Sequence, residues 1–142
     1  MRRYLFCVML AMMACTASVT GKGAGKAMKI TVGRTVLSVE LADSRTTKAL
    51  VELLKNGPLV LDASNYGGFE KVIDLGHQLP TDDRRTTTKS GDVMLYTGDR
   101  IVVFYDANTW SYTRLGKIVG VGQAELEQAL GGSENRVTLS LQ

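Results

Sequence analysis

Residues 91–118, GDVMLYTGDRIVVFYDANTWSYTRLGKI, constrain the fold more than any other part of the chain. Two β-prone apolar runs, 93–96 and 101–105, flank Thr97-Gly98-Asp99-Arg100. Val, Ile, Tyr and Phe suit a pleated, half-buried surface, and Gly98-Asp99 supplies turn chemistry. The pattern predicts a β-hairpin. Its runs are apolar at both odd and even positions, so both faces are covered over part of the length. Such a hairpin belongs to a covered or closed sheet. The chain then enters an aromatic segment, Trp110-Ser111-Tyr112-Thr113-Arg114, read here as a loop.

The remaining chain supplies further short strands and two helices. Residues 29–41 alternate around Gly33-Arg34, which predicts a first hairpin. Asp43 or Ser44 can cap a helix running to about Lys55, with Leu50, Leu53 and Leu54 as its apolar stripe and Asn56-Gly57-Pro58 as its stop. Residues 58–63 predict a short strand, and 65–76 a loop and strand around Gly67-Gly68. Residues 79–91 are polar and unpatterned and read as an exposed loop. Residues 116–121 predict a short strand, 123–130 a helix closed by Gly131-Gly132, and 136–141 a closing strand. Many short strands with glycine-rich turns predict a barrel or a sandwich. Val93, Leu95, Ile101, Val103 and Leu115 are the expected core of the 91–118 block.

The first residues carry a different signal. Arg2-Arg3 precedes an unbroken apolar run of eleven residues at 4–14. That run is too short to span a bilayer and suits a secretory leader. Met12-Met13-Ala14-Cys15 resembles a lipobox, with Met where Leu is usual, so Cys15 is the expected lipidation site. Plain cleavage after Ala17 or Ala27 is the alternative. Residues 1–27 thus read as leader and flexible tether, and 28–142 as one folded domain. The expected location is exported, in the cell envelope, with membrane attachment through a lipid anchor only. Cys7 would leave with the leader, so no disulfide is expected.

The charge balance excludes one class of partner. Residues 1–27 hold four of the 17 basic residues and no acid. Residues 28–142 therefore carry 13 basic against 14 acidic side chains, a formal charge of −1. No basic stripe remains to neutralise phosphates, and a nucleic-acid partner is not expected.

No catalytic set emerges from the spacing. His77 is the only histidine, and a general base needs a nucleophile or an orienting carboxylate beside it. No metal site is expected without a second histidine or a cysteine pair, and no cofactor motif is present. No Gly-x-Ser-x-Gly elbow occurs. Asp62 with Glu70, or Asp92 with Asp106, shows no spacing that singles out paired carboxylates. Aromatic and arginine residues in or beside the predicted loops are the stronger lead. Phe69, Trp110, Tyr112, Arg84 and Arg114 are the candidate ligand-binding residues. Aromatics offer contact area and arginine reads a carboxylate or carbonyl. A peptide or a small molecule is the expected ligand. The competing expectation is that Trp110 and Tyr112 cap the barrel and Arg114 packs over them.

The strings GDVMLY and IVVFYDANTWSYTRLGKI, with Leu79-Pro80-Thr81-Asp82-Asp83 upstream, resemble the cyclophilin-like domain proteins of bacteria and archaea. The resemblance runs from about Met28 to the C-terminus. It implies a mainly β protein, a closed cyclophilin-like β-barrel with two short helices. It implies little about activity, because fold does not determine function. Cyclophilins proper carry Phe-His-Arg-Val on a central strand; here the nearest string is Gly68-Phe69-Glu70-Lys71-Val72, without the His and Arg. No catalytic residue carries over. The expectation is a binding or interaction module; a weak or divergent prolyl isomerase and a purely structural envelope component remain alternatives.

Overall fold

The computed structural model describes residues 27–142; the expected leader and Cys15 lie outside the described residues. Strands β1 (Ala27–Val32) and β2 (Thr35–Leu41) form the hairpin that alternation around Gly33-Arg34 predicts. Every second residue points inward and is buried: Met28, Ile30 and Val32 on β1, Leu37, Val39 and Leu41 on β2. Helix α1 (Arg45–Leu54) starts at Ser44, whose hydroxyl accepts from the Thr47 amide at 3.1 Å. Thr47 reciprocates, its hydroxyl accepting from the Ser44 amide at 3.1 Å.

Strands β3 (Leu59–Tyr66) and β4 (Glu70–Asp74) form a second hairpin. Strand β5 (Arg84–Thr87) is followed by the central hairpin of β6 (Asp92–Tyr96) and β7 (Arg100–Phe104). The long strand β8 (Thr109–Val119), helix α2 (Gln123–Leu130) and strand β9 (Arg136–Leu141) complete the chain.

Eight of these strands close into an antiparallel barrel in the order β2-β1-β9-β3-β4-β7-β6-β8, with β8 pairing back onto β2. Closure leaves the barrel no free sheet edge. The closing seam pairs Ser38, Val39, Glu40 and Leu41 with Val119, Ile118, Lys117 and Gly116. Gly116 is required there, because a Cβ would overlap the Glu40 carbonyl oxygen.

Inward-facing residues of the barrel strands and the apolar faces of both helices form one core. Leu50, Val51 and Leu54 of α1 and Leu126 and Leu130 of α2 reach that core. A helix gains the interior of a closed barrel only through an open end. The register puts α1 beside the end of β2 and the start of β3, and α2 at the opposite end, between β8 and β9. Each helix therefore plugs one end. Val93, Leu95, Ile101, Val103 and Leu115 are fully buried, as their pattern predicts.

Two stretches differ from the sequence reading. The exposed loop expected at 79–91 contains β5 and buries Leu79 and Thr88. Strand β5 pairs only with β8 and is wet on both faces, so it carries no hydrophobic alternation to be read. The aromatic loop expected at 110–114 and the separate strand expected at 116–121 are one strand, β8. The β6–β8 register shifts between Val93 and Met94, which leaves Leu115 without a partner on β6. A bulge of this kind resets the two-residue period and bends the strand. The far half of β8, from Thr109 to Tyr112, leaves the barrel wall to pair with β5.

Candidate functional site

The central hairpin is apolar on both faces because the barrel wall is covered on both. Outside the wall lies a second apolar cluster of Met94, Val102, Phe104 and Tyr112, with Phe69, Val72 and Tyr96 packed against it. Residues alternate across a strand, so Glu70, Val72 and Asp74 share the outer face of β4 while Lys71 and Ile73 point inward. The rings of Phe104 and Tyr112 meet edge-on at 5.3 Å, and those of Tyr96 and Tyr112 at 6.1 Å.

Over this cluster runs a groove of about 760 Å³. That is the size of an ordinary small-molecule site. Tyr112, Tyr96 and Val72 lie beneath it, Tyr66, Phe69 and Trp110 beside it, and Glu70, Arg100 and Asn108 supply its polar groups. Tyr66 and Trp110 are 65% and 55% exposed, an unusual amount of open aromatic surface in one place.

The rim is built by hydrogen bonds. Gly67 and Gly68 adopt φ of 64° and 72°, which turns the chain between β3 and β4. The Phe69 ring folds over Gly67 so closely that a Cβ there would overlap it. Tyr66 meets the same ring edge-on at 6.0 Å. The Phe69 carbonyl accepts from the amides of Tyr105 and Asp106 at 3.0 and 3.2 Å. Opposite, the Asn108 side-chain amide donates to the Tyr112 hydroxyl at 2.8 Å, and the Asn108 carbonyl accepts from the Thr88 amide at 2.8 Å.

Glu70 is the chemically distinctive member. Its side chain is 7% exposed, and among the described residues its Oε2 has no hydrogen-bond partner. Burial pushes its carboxyl from the ordinary 4.5 up to about 7. The adjacent Lys71 points through the wall, where its ammonium donates to the Leu130 carbonyl at 3.0 Å and to Asn65 Oδ1 at 3.4 Å. Lys71 thereby caps the C-terminal end of α2. Burial lowers the Lys71 pKa, and the charge of Glu134 partly opposes that.

The sequence-derived candidates divide between two clefts. Phe69, Trp110 and Tyr112 line the aromatic groove. Arg84 and Arg114 line a second cleft of about 400 Å³ between α1 and β8, which also touches Tyr112. Both guanidiniums are engaged there, Arg84 with Asp82 at 3.4 Å and Arg114 with the buried Asp92 at 3.3 Å. The arginine that reaches the aromatic groove is Arg100, which the sequence reading passed over as a turn residue. The sequence offers Glu70 only as one of a pair with Asp62, and Asp62 is exposed and faces Arg136 at 3.7 Å. Trp110 does not cap the barrel: the bend of β8 carries it to the outside. Asp82 and Asp83 are exposed, as a solvated turn requires, and both are tied to Thr113, whose hydroxyl accepts from the Asp82 amide at 2.9 Å and donates to Asp83 Oδ1 at 2.6 Å. His77 is exposed and lines neither cleft.

These features define a small antiparallel barrel whose outer wall carries an aromatic groove. Residues 30–142 match the cyclophilin-like family, and the chain belongs to it. The solution structure of the hypothetical protein AF2241 from Archaeoglobus fulgidus shares the fold, with a TM-score of 0.65 at 15% identity. The match covers 87% of this chain and 99% of that one. A search of curated proteins finds no match.

Proposed function

We propose that this protein is a binding module of the cell envelope that holds a small molecule or a peptide side chain in the aromatic groove. The observation that carries the reading is Glu70: its buried Oε2 has no partner among the described residues, which costs stability, and it lines the same groove as the open rings of Tyr66 and Trp110. Structural ionisable groups acquire partners, as Lys71 and Asp92 do here.

Trp110 is the only tryptophan of the chain and lines the groove, so its emission reports occupancy directly. Titration of aromatic small molecules and short peptides should shift that emission, and Phe69→Ala should weaken the response at least tenfold. A response unchanged in Phe69→Ala places the ligand elsewhere. A prolyl isomerase would need a cation against the amide, and Arg100 is the guanidinium in the groove. Proline-peptide turnover that disappears in Arg100→Ala would replace binding by catalysis.

Export and lipid attachment at Cys15 complete the proposal, on the strength of Arg2-Arg3, the apolar run and Met12-Met13-Ala14-Cys15. Intact mass of the native protein tests this. The expected mature chain begins at Cys15 and carries added acyl mass, and an N-terminus beyond Cys15 sinks the anchor.

A further inference from the structure

Building on the groove as a binding site, we propose that its ligand is an organic ammonium, an amine carried on an apolar or aromatic stem. The argument is one of charge and shape around Glu70.

The carboxyl of Glu70 lies on the groove side of the wall with Oε2 unpartnered among the described residues. Its chain neighbour Lys71 has turned inward and given its ammonium to the Leu130 carbonyl. Arg100 is opposite Asp74, four residues along β4 from Glu70. At roughly 3.3 Å per residue that is about 13 Å between backbone positions. Among the described residues no cation pairs with the carboxyl. Once Glu70 is ionised, the groove is short of one positive charge and one N–H donor at a fixed place.

The walls fit the same chemistry. An aromatic face is negative and attracts a cation, most strongly where water is excluded. Tyr66, Phe69, Trp110, Tyr96 and Tyr112 surround the groove, and the Tyr66–Phe69 and Tyr96–Tyr112 pairs are both edge-on. Other ligand classes fit less well. A neutral apolar ligand fills the space and leaves Oε2 unsatisfied. An anion meets an ionised Glu70 at one end, and Arg100, the groove's one guanidinium, stands at the other, opposite Asp74 in the sheet register.

Protonation of Glu70 supplies a second signature. An ammonium prefers the ionised carboxylate, and burial holds this carboxyl at about 7 in the empty groove. The titratable groups that feel its charge are the Tyr105 and Tyr112 hydroxyls. Burial first raises both above their ordinary value and the charge of Glu70 adds to this, while on Tyr112 the Asn108 hydrogen bond works the other way; both stay protonated at neutral pH. The Arg100 guanidinium stands at the far end of the groove. Affinity for an ammonium should therefore fall as pH drops from 8 to 6.

The experiment uses the full-length protein and Trp110 emission. The probes are 2-phenylethylammonium, its neutral analogue 2-phenylethanol and the anion 3-phenylpropionate. Nα-acetyl-lysine methylamide is added to separate a free amine from a lysine side chain as the source. At pH 8 the ammonium should bind at least tenfold more tightly than the alcohol or the anion. Glu70→Gln should remove that advantage and the pH dependence. The wild-type comparison stands without any variant. Equal binding of ammonium and alcohol, indifferent to Glu70→Gln, overturns the cation inference and leaves the groove reading intact. No emission change with any probe overturns both.

Discussion

Glu70 and Lys71 are adjacent, and the period of a strand sends them to opposite sides of the barrel wall. Lys71 finds a carbonyl and an amide oxygen; among the described residues Glu70 Oε2 finds no partner. The difference has a measurable consequence in stability. Glu70 keeps its proton in the folded state up to about pH 7, whereas the unfolded chain releases it near 4.5. Between those values unfolding releases a proton, so this group's contribution is fully present below 4.5, falls as pH rises and levels off above 7. Glu70→Gln keeps the shape and removes the titration. Its urea midpoint should exceed wild type above pH 7 and approach it near pH 4.5. A difference between the two proteins that does not vary with pH would show that Glu70 is not the group titrating. Neither behaviour was legible in the sequence, where Glu70 is one of 14 acids and nothing local marks it as lacking a partner.

At the scale of elements, the central hairpin was readable because its signal is local and strong. Residues 93–96 and 101–104 are apolar throughout, and the structure buries one set in the barrel and the other under the groove. Leu95 and Val103 belong to the barrel set and are fully buried. Leu95→Ala or Val103→Ala should each cost about 2–4 kcal/mol, through lost burial and the cavity left behind. A denaturant midpoint that barely moves would show the hairpin to be peripheral. β5 and β8 were illegible for opposite reasons. Arg84-Arg85-Thr86-Thr87 is a strand only because β8 supplies its hydrogen bonds. In β8 the unpaired Leu115 shifts the phase of the pattern, and Gly116 makes one strand look like two. The groove inherits that difficulty: Phe69 comes from one hairpin, Tyr96 and Arg100 from another, and Trp110 from β8, whose pattern reads as a loop and a separate strand. Its aromatic members could be named from sequence, but their grouping, and the separation of Arg84 and Arg114 from it, depend on long-range register.

At the scale of the whole molecule, everything depends on closure. The barrel closes through one pairing of four residues on each side, Ser38–Leu41 against Gly116–Val119. The two chain segments lie far apart in sequence, so this contact is among the most expensive in loop entropy. It is also a point of close backbone approach, where any side chain at 116 meets the Glu40 carbonyl and the Leu41 Cα. Gly116→Val should therefore act differently from a core truncation. Leu95→Ala leaves a closed barrel with a hole in it. Gly116→Val forces β8 away from β2 and exposes two strand edges, β2 on one side and β8 on the other. The expected loss of stability is on the order of 3 kcal/mol or more, at the upper end for single substitutions. The expected accompaniment is concentration-dependent self-association through the freed edges. Amide exchange separates the two mechanisms. In Gly116→Val, amides at 38–41 and 116–119 should lose protection selectively while those of β3 and β4 keep theirs. In Leu95→Ala, any loss should spread from β6 and β7 and leave the seam the better protected. Uniform loss in Gly116→Val, with no self-association, would mean that the seam opens only when the whole barrel unfolds.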